Sequence, residues 1–164
     1  MRMKQKKIIF LFLALLFPAC IFVFLKLFGK NEFAVPALYT DVYPDGVESC
    51  SVEITLPYII PDSVRSELSL ENNSLTLIHV GDISGNSNQQ LDRVKNKFGN
   101  EVKLQNLSTS DKSLKLKRCV FFLKDPNDLV LIDPKGVIRG QYISNDREDI
   151  DRLLVELAIL FKKY

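Results

Sequence analysis

Hydrophobic and polar positions divide the chain into two unlike parts. From Ile8 to Leu25 no charged residue occurs; Lys26 interrupts, and Leu27 and Phe28 finish the run. A helix spanning a bilayer needs about 20 mostly apolar residues, so a transmembrane helix is expected over residues 8–28. Beyond it the apolar positions become periodic. Leu75-Thr-Leu-Ile-His-Val80 is a compact run ending in Gly81, the pattern of a central strand. Gln89 to Phe98 carries Leu91, Val94 and Phe98 at helical spacing, with Gly99-Asn100 as a stop. Val102 to Leu107 alternates as a second strand, and Ser108 to Arg118 is ambiguous. Cys119 to Leu123 is apolar and β-prone. Leu129 to Ile132 and Val137 to Ile143 flank the turn Asp133-Pro-Lys-Gly136 as a hairpin. Asn145 is placed to cap a last helix, with Glu148 completing a capping box. Its apolar stripe is Ile150, Leu153, Leu154, Leu157, Leu160 and Phe161.

Strand, helix, strand implies a parallel pair joined by a right-handed crossover. The hairpin adds antiparallel strands and the last helix covers a face. This order predicts an α/β thioredoxin-like fold, a central mixed sheet flanked by helices, preceded by one N-terminal transmembrane helix. Ferredoxin-like folds use the same elements. The expected organisation is a basic N-terminus at 1–7, the span at 8–28, an extended lead-in at 29–61 and the domain at 62–164. The lead-in holds Pro36, Pro44, Pro57 and Pro61, with Asp45-Gly46 as a turn. Only Ser51 to Leu56 alternates as a short strand, and 62–73 is patterned weakly enough for a short helix or a loop.

Charge orients the span. Arg2, Lys4, Lys6 and Lys7 precede it, while Lys26 and Lys30 are the only cations near its far end. Cations stay on the cytoplasmic side, so the N-terminus is expected in the cytoplasm and the domain in the periplasm or another extracytoplasmic space. A buried core helix tolerates more polar positions than this run shows. Lipidation at Cys20 after cleavage fits poorly, because Ile21-Phe-Val-Phe24 is no polar tether. Residues 1–30 hold six Lys/Arg and no Asp/Glu, so the remainder has 16 basic and 20 acidic residues, a net of −4. A mildly acidic domain carries no footprint for nucleic acid, and Lys112, Lys115, Lys117 and Arg118 read as a solvated face.

Chemistry-bearing residues are few. Cys50 and Cys119 lie outside the span, where disulfides persist. The pair is a candidate disulfide that would pin the lead-in to the domain, and it lacks metal-site spacing. His79 is the only histidine, inside a strand, and fits a hydrogen-bonded structural role better than a ligand's. Asp125, Asp128 and Asp133 bracket Pro126 and Pro134 in turns, which favour Asp for backbone hydrogen bonding, so no hard-metal site is assigned. Asp82-Ile-Ser-Gly85 lacks the spacing of a phosphate loop, and no Ser-His-Asp set is legible. No catalytic, cofactor or metal residue is assigned.

The stretch Leu129-Val-Leu-Ile-Asp-Pro-Lys-Gly-Val-Ile-Arg-Gly-Gln-Tyr142, followed by Asp146-Arg-Glu-Asp-Ile-Asp-Arg-Leu-Leu154, resembles the end of the Sco/SenC family. The lead-in from Val35-Pro36 to Pro57-Tyr-Ile-Ile-Pro61 is similar to that of its anchored members. The resemblance implies a membrane-anchored thioredoxin fold, a role in cytochrome oxidase assembly and copper as the metal handled. The family carries Cys-x-x-x-Cys after its first central strand and a histidine near the start of the hairpin, ligands suited to copper. This chain has Gly81-Asp-Ile-Ser-Gly-Asn-Ser87 at the first place and Lys124-Asp-Pro-Asn-Asp128 at the second. The expectation is therefore a degenerate active site: a non-catalytic binding or assembly module, with a membrane complex or oxidase subunit as partner. The alternative is a redox or copper protein using Cys50 and Cys119 as a non-standard site.

Overall fold

The computed structural model describes residues 2–28, 33–47, 50, 54–70 and 74–162. It forms two compact units, Met1–Phe33 and Ala34–Tyr164. The first is a single helix, α1, Arg2–Phe28, with Pro18 inside it. Among the described residues, no helix is long and apolar enough to cross a membrane. The side chains at positions 8, 9, 11, 25, 27 and 28 of α1 lie outside the described ones, so the span expected over residues 8–28 falls partly outside them.

The second unit is α/β: a four-stranded mixed sheet flanked by helices. Its elements in order are α2 (Asp62–Glu67), β1 (Leu75–Val80), α3 (Gly85–Phe98), β2 (Val102–Leu107), α4 (Asp111–Cys119), β3 (Leu129–Ile132), β4 (Ile138–Tyr142) and α5 (Arg147–Leu160). The sheet order is β2-β1-β3-β4. β1 and β2 run parallel, with Leu75 beside Val102 and His79 beside Asn106. β3 is antiparallel to both β1 and β4.

Alternation along the strands builds two cores. Leu75 and Leu77 of β1, Val102 of β2, and Leu129 and Leu131 of β3 meet Leu91, Val94 and Phe98 of α3 and Ile150, Leu153, Leu154 and Leu157 of α5. Each fully buried Leu or Ile contributes about 1.5–3 kcal/mol, so this face alone outweighs the ordering of its two helices' apolar side chains. Ile78 and Val80, Val130 and Ile132, and Ile138 face the other way, against Tyr58, Ile60, Leu68, Leu70 and Val120–Leu123. All six residues of β1 are buried, as expected of a strand covered on both sides.

Local chemistry moves several boundaries. α3 starts at Gly85 and not at Gln89, because the Ser84 hydroxyl accepts from the Ser87 amide as an N-cap. The ambiguous stretch 108–118 is α4, whose Ser110 and Ser113 form a reciprocal capping box. The last helix is capped by Asp146 and not by Asn145; the Asp146 carboxylate accepts from the Glu148 amide. Cys119 ends α4 and opens no strand. The amides of Val120, Phe121 and Leu123 turn back onto the carbonyls of Leu116 and Lys117, and Phe122 has φ +51°. A segment whose amides are spent on a helix end has none left for a sheet ladder.

The described part of the lead-in packs against the domain. Residues 54–56 of the expected 51–56 strand are irregular, and 51–53 lie outside the described residues. The segment nonetheless belongs to the compact unit that begins at Ala34. The Leu38 amide donates to the Ile138 carbonyl and the Ile60 amide to that of Gly136. Val35, Tyr58 and Ile60 are buried.

Candidate functional site

The carboxyl ends of the parallel strands β1 and β2 point at the start of α3, where open α/β sheets place ligands. A chain of polar side chains occupies that end. Strand alternation puts His79 on the side of Leu75 and Leu77, and it is only 2% exposed. Its Nδ1 lies 2.9 Å from Asn106 Oδ1 on the neighbouring strand. Its Nε2 lies 3.5 Å from Asp128 Oδ2. Asp128 is held in place by its own backbone. Its carbonyl accepts from the Val80 amide, and its amide donates to the Tyr142 carbonyl.

Asp128 also accepts both the amide and the hydroxyl of Ser144, each at 2.7 Å. The Ser144 hydroxyl lies 2.9 Å from Ser87 Oγ, which lies 2.8 Å from Ser84 Oγ. Ser144 has one hydroxyl proton, and a bond to a carboxylate is the stronger use of it. The hydroxyls therefore align Ser84 to Ser87 to Ser144 to Asp128, with His79 approaching the carboxylate from the other side. Members from β1, β2, α3 and the ends of β3 and β4 are joined in one network.

Its electrostatics are self-consistent. Burial alone lowers the pKa of His79, but the hydrogen bonds its ring donates to Asp128 and Asn106 and the Asp128 charge raise it above its ordinary value. Burial likewise raises Asp128, and the His79 and Ser144 hydrogen bonds overcome this and hold it below the usual carboxylate range. Both shifts favour an imidazolium–carboxylate pair. The residue types are those of a hydrolytic triad, but the connections are not. Ser144 is fully buried and bonds the carboxylate, not the imidazole, so the serine–histidine contact of such a triad is not formed.

His79 and Asn106 also contribute to the wall of an open cleft of about 580 Å³ between β2 and α3, which Asn88, Asp92 and Lys95 line from the helix.

Cys50 and Cys119 are brought together as a disulfide with a Cα–Cα distance of 5.6 Å. The bridge fastens the lead-in to the end of α4. The three turn aspartates part company. Asp125 is exposed and pairs with Lys117. Asp128 is half-buried and belongs to the His79–Ser144 network. Asp133 accepts from the Lys135 and Val137 amides and from Arg139. Among the described residues, no three His, Cys, Asp or Glu are grouped to hold a metal.

Copper does not fit the donors present. Both cysteines outside α1 are consumed in the disulfide, both imidazole nitrogens have partners, and the remaining groups are hydroxyls and a carboxylate, which suit harder cations. Sequence reasoning missed Asn106, Ser84, Ser87 and Ser144. The His79–Asn106 pairing was recoverable from the register of two parallel strands, whereas nothing local to Ser144 announces its partners. No protein-family model matches the chain, and no curated protein matches it.

Proposed function

We propose that this chain is a membrane-anchored, extracytoplasmic Sco-like protein of thioredoxin-like fold that acts as a non-catalytic binding or assembly module in the biogenesis of a respiratory complex. The anchor reading rests on the charge-free run from Ile8 to Leu25 and the basic residues ahead of it. The fold reading is supported by the βαβ unit followed by an antiparallel hairpin and a covering helix, in the order β2-β1-β3-β4.

One observation carries the non-catalytic reading. The place where the family has its thiol pair holds Ser84, Gly85 and Ser87, and the start of the hairpin holds Asp128 in place of histidine. The Ser84 and Ser87 hydroxyls and the Asp128 carboxylate are joined through Ser144 in one polar network. A site whose donors and acceptors are internally paired positions backbone and offers little to an incoming metal or substrate.

The test is copper retention by the full chain in mild detergent. The expected result is no stoichiometric Cu(I) or Cu(II) after dialysis against a moderate chelator. One copper held per chain would overturn the reading and bring forward the alternative centred on Cys50 and Cys119.

A further inference from the structure

The two edges of the sheet are finished differently. β4 is covered: the Leu38 amide donates to Ile138 and the Val35 carbonyl accepts from Arg139. Its ladder with β3 is also shifted between Leu131 and Ile132. β2 is the opposite edge. Among the described residues, no backbone hydrogen bond covers its outer side. Among the described residues β2 has no proline and no bulge, Lys103 is its single charge, and the Leu68–Ser69 segment meets it only through the side chains of Gln105 and Lys103. Lys103 does not guard the edge, because its ammonium is folded back onto the Ser69 carbonyl. The cleft beside β2 runs along Val102 to Asn106 and is walled by α3.

We infer that the β2 edge is a homodimer interface, at which two copies pair their β2 strands antiparallel about a two-fold axis and extend the sheet to eight strands. The strand is compatible with its own reverse. Centring the axis on residue 105 sets Gln105 opposite Gln105 of the partner subunit, Leu104 opposite the partner's Asn106 and Lys103 opposite the partner's Leu107. No like charges meet. The axis is perpendicular to the sheet, so α3 and its copy lie antiparallel on the same face.

The helix charges make the occupant a second copy and not an arbitrary strand. Asp92 and Lys95 are exposed, line the cleft, and form no ion pair among the described residues. They sit one turn apart near the middle of α3. Reversing the helix sets Asp92 against the partner's Lys95 and Lys95 against the partner's Asp92, so one two-fold satisfies both charges in both copies. Isologous interfaces require this self-complementarity.

The experiment measures the oligomeric state of the full chain in mild detergent by sedimentation, with Asp92→Lys and Lys95→Asp as variants. Both positions are exposed, so folding is preserved. The wild-type chain is expected to dimerise. Each variant alone places like charges across the axis and should weaken the dimer by about tenfold or more. Mixing the two variants should restore it, because each supplies the sign the other lacks. Amides of residues 102–107 should become more protected from hydrogen exchange as concentration rises. A monomeric wild-type chain would overturn the inference, as would a dimer indifferent to both variants. Protection of 102–107 only when an unrelated extended peptide is added would assign the edge to a peptide instead.

Discussion

The two faces of the sheet reach equal burial by different means. On one, α3 and α5 lay periodic apolar stripes over β1 and β3, and the helices bring their own backbone hydrogen bonds. On the other, the cover is mostly irregular chain: the lead-in, α2, and the segment Val120–Leu123. Irregular chain must find partners for its backbone elsewhere, and here side chains supply them. The Gln141 amide donates to the carbonyls of Phe121 and Phe122 and to the Tyr39 hydroxyl. The Tyr58 hydroxyl donates to the Val120 carbonyl. Phe122 packs edge-on against Tyr39 and Tyr58, and the disulfide closes the cover at Cys119. A helical face is thus held by many small, similar contributions, and the irregular face by a few large ones.

Removing the largest of those contributions should separate the faces. Cys119→Ser opens a loop of 69 residues' separation, which costs about 4 kcal/mol in the chain-entropy model. The expected loss is local as well as global. In native-state hydrogen exchange, amides of residues 33–61 and 119–123 should lose protection first, while those of α3 and α5 keep theirs until global unfolding. Uniform loss across both faces would show that they are one cooperative unit.

The same contrast explains what could be read from the sequence. α3, β1, β2, the hairpin and α5 were legible because each repeats one period over several residues, and that period is set by which side meets the core. Val120–Leu123 misled because four apolar residues in a row look like a strand, although their direction is set by a preceding helix end and a residue at φ +51°. The lead-in was legible as irregular but not as packed, since Val35, Tyr58 and Ile60 follow no period. The network at Asp128 was the least legible part. Its members come from five separate segments, and only the tertiary fold makes neighbours of Ser87, Asp128 and Ser144.

The helical face has its own narrow point. Among the described residues Tyr142 is the largest fully buried side chain, and its phenol lies across Gly140, two residues back on the same strand. The hydroxyl donates to Glu156 of α5, and Arg152 stacks 4.7 Å from the ring centroid. A Cβ at residue 140 would overlap the ring. Gly140→Ala should therefore push Tyr142 from α5 and destabilise by about 1–3 kcal/mol, the usual cost of overpacking. Here the protection lost should be that of α5 and not of the lead-in, the mirror image of the disulfide variant. Equilibrium denaturation with the disulfide intact would measure the size of the effect.

The smallest effect concerns the polar network at the carboxyl ends of β1 and β2. His79 is raised above 6.5 in the folded protein, against burial, by Asp128 and Asn106. A group with a raised folded pKa contributes stability that is full below its unfolded pKa and is lost as pH rises through the folded value. Asp128 is lowered from 3.8, so its contribution is present above that value and is lost as pH falls through the lowered one. The pair is therefore worth most between about pH 4 and 6.5. His79 is the only histidine and Cys50 and Cys119 are bonded, so near pH 7 a change in unfolding free energy with pH reports chiefly this imidazole. Stability should decline as pH rises from 6.5. His79→Gln keeps a polar side chain beside Asn106 and Asp128 but cannot titrate. It should be less stable than wild type at pH 6 and lose the slope above it. Urea unfolding across pH 5–9, followed by tyrosine fluorescence, measures both quantities. A wild-type profile that is flat from pH 6 to 8 would mean that His79 titrates alike in folded and unfolded chains, and that the Asp128 carboxylate does not bias the imidazole toward its charged form.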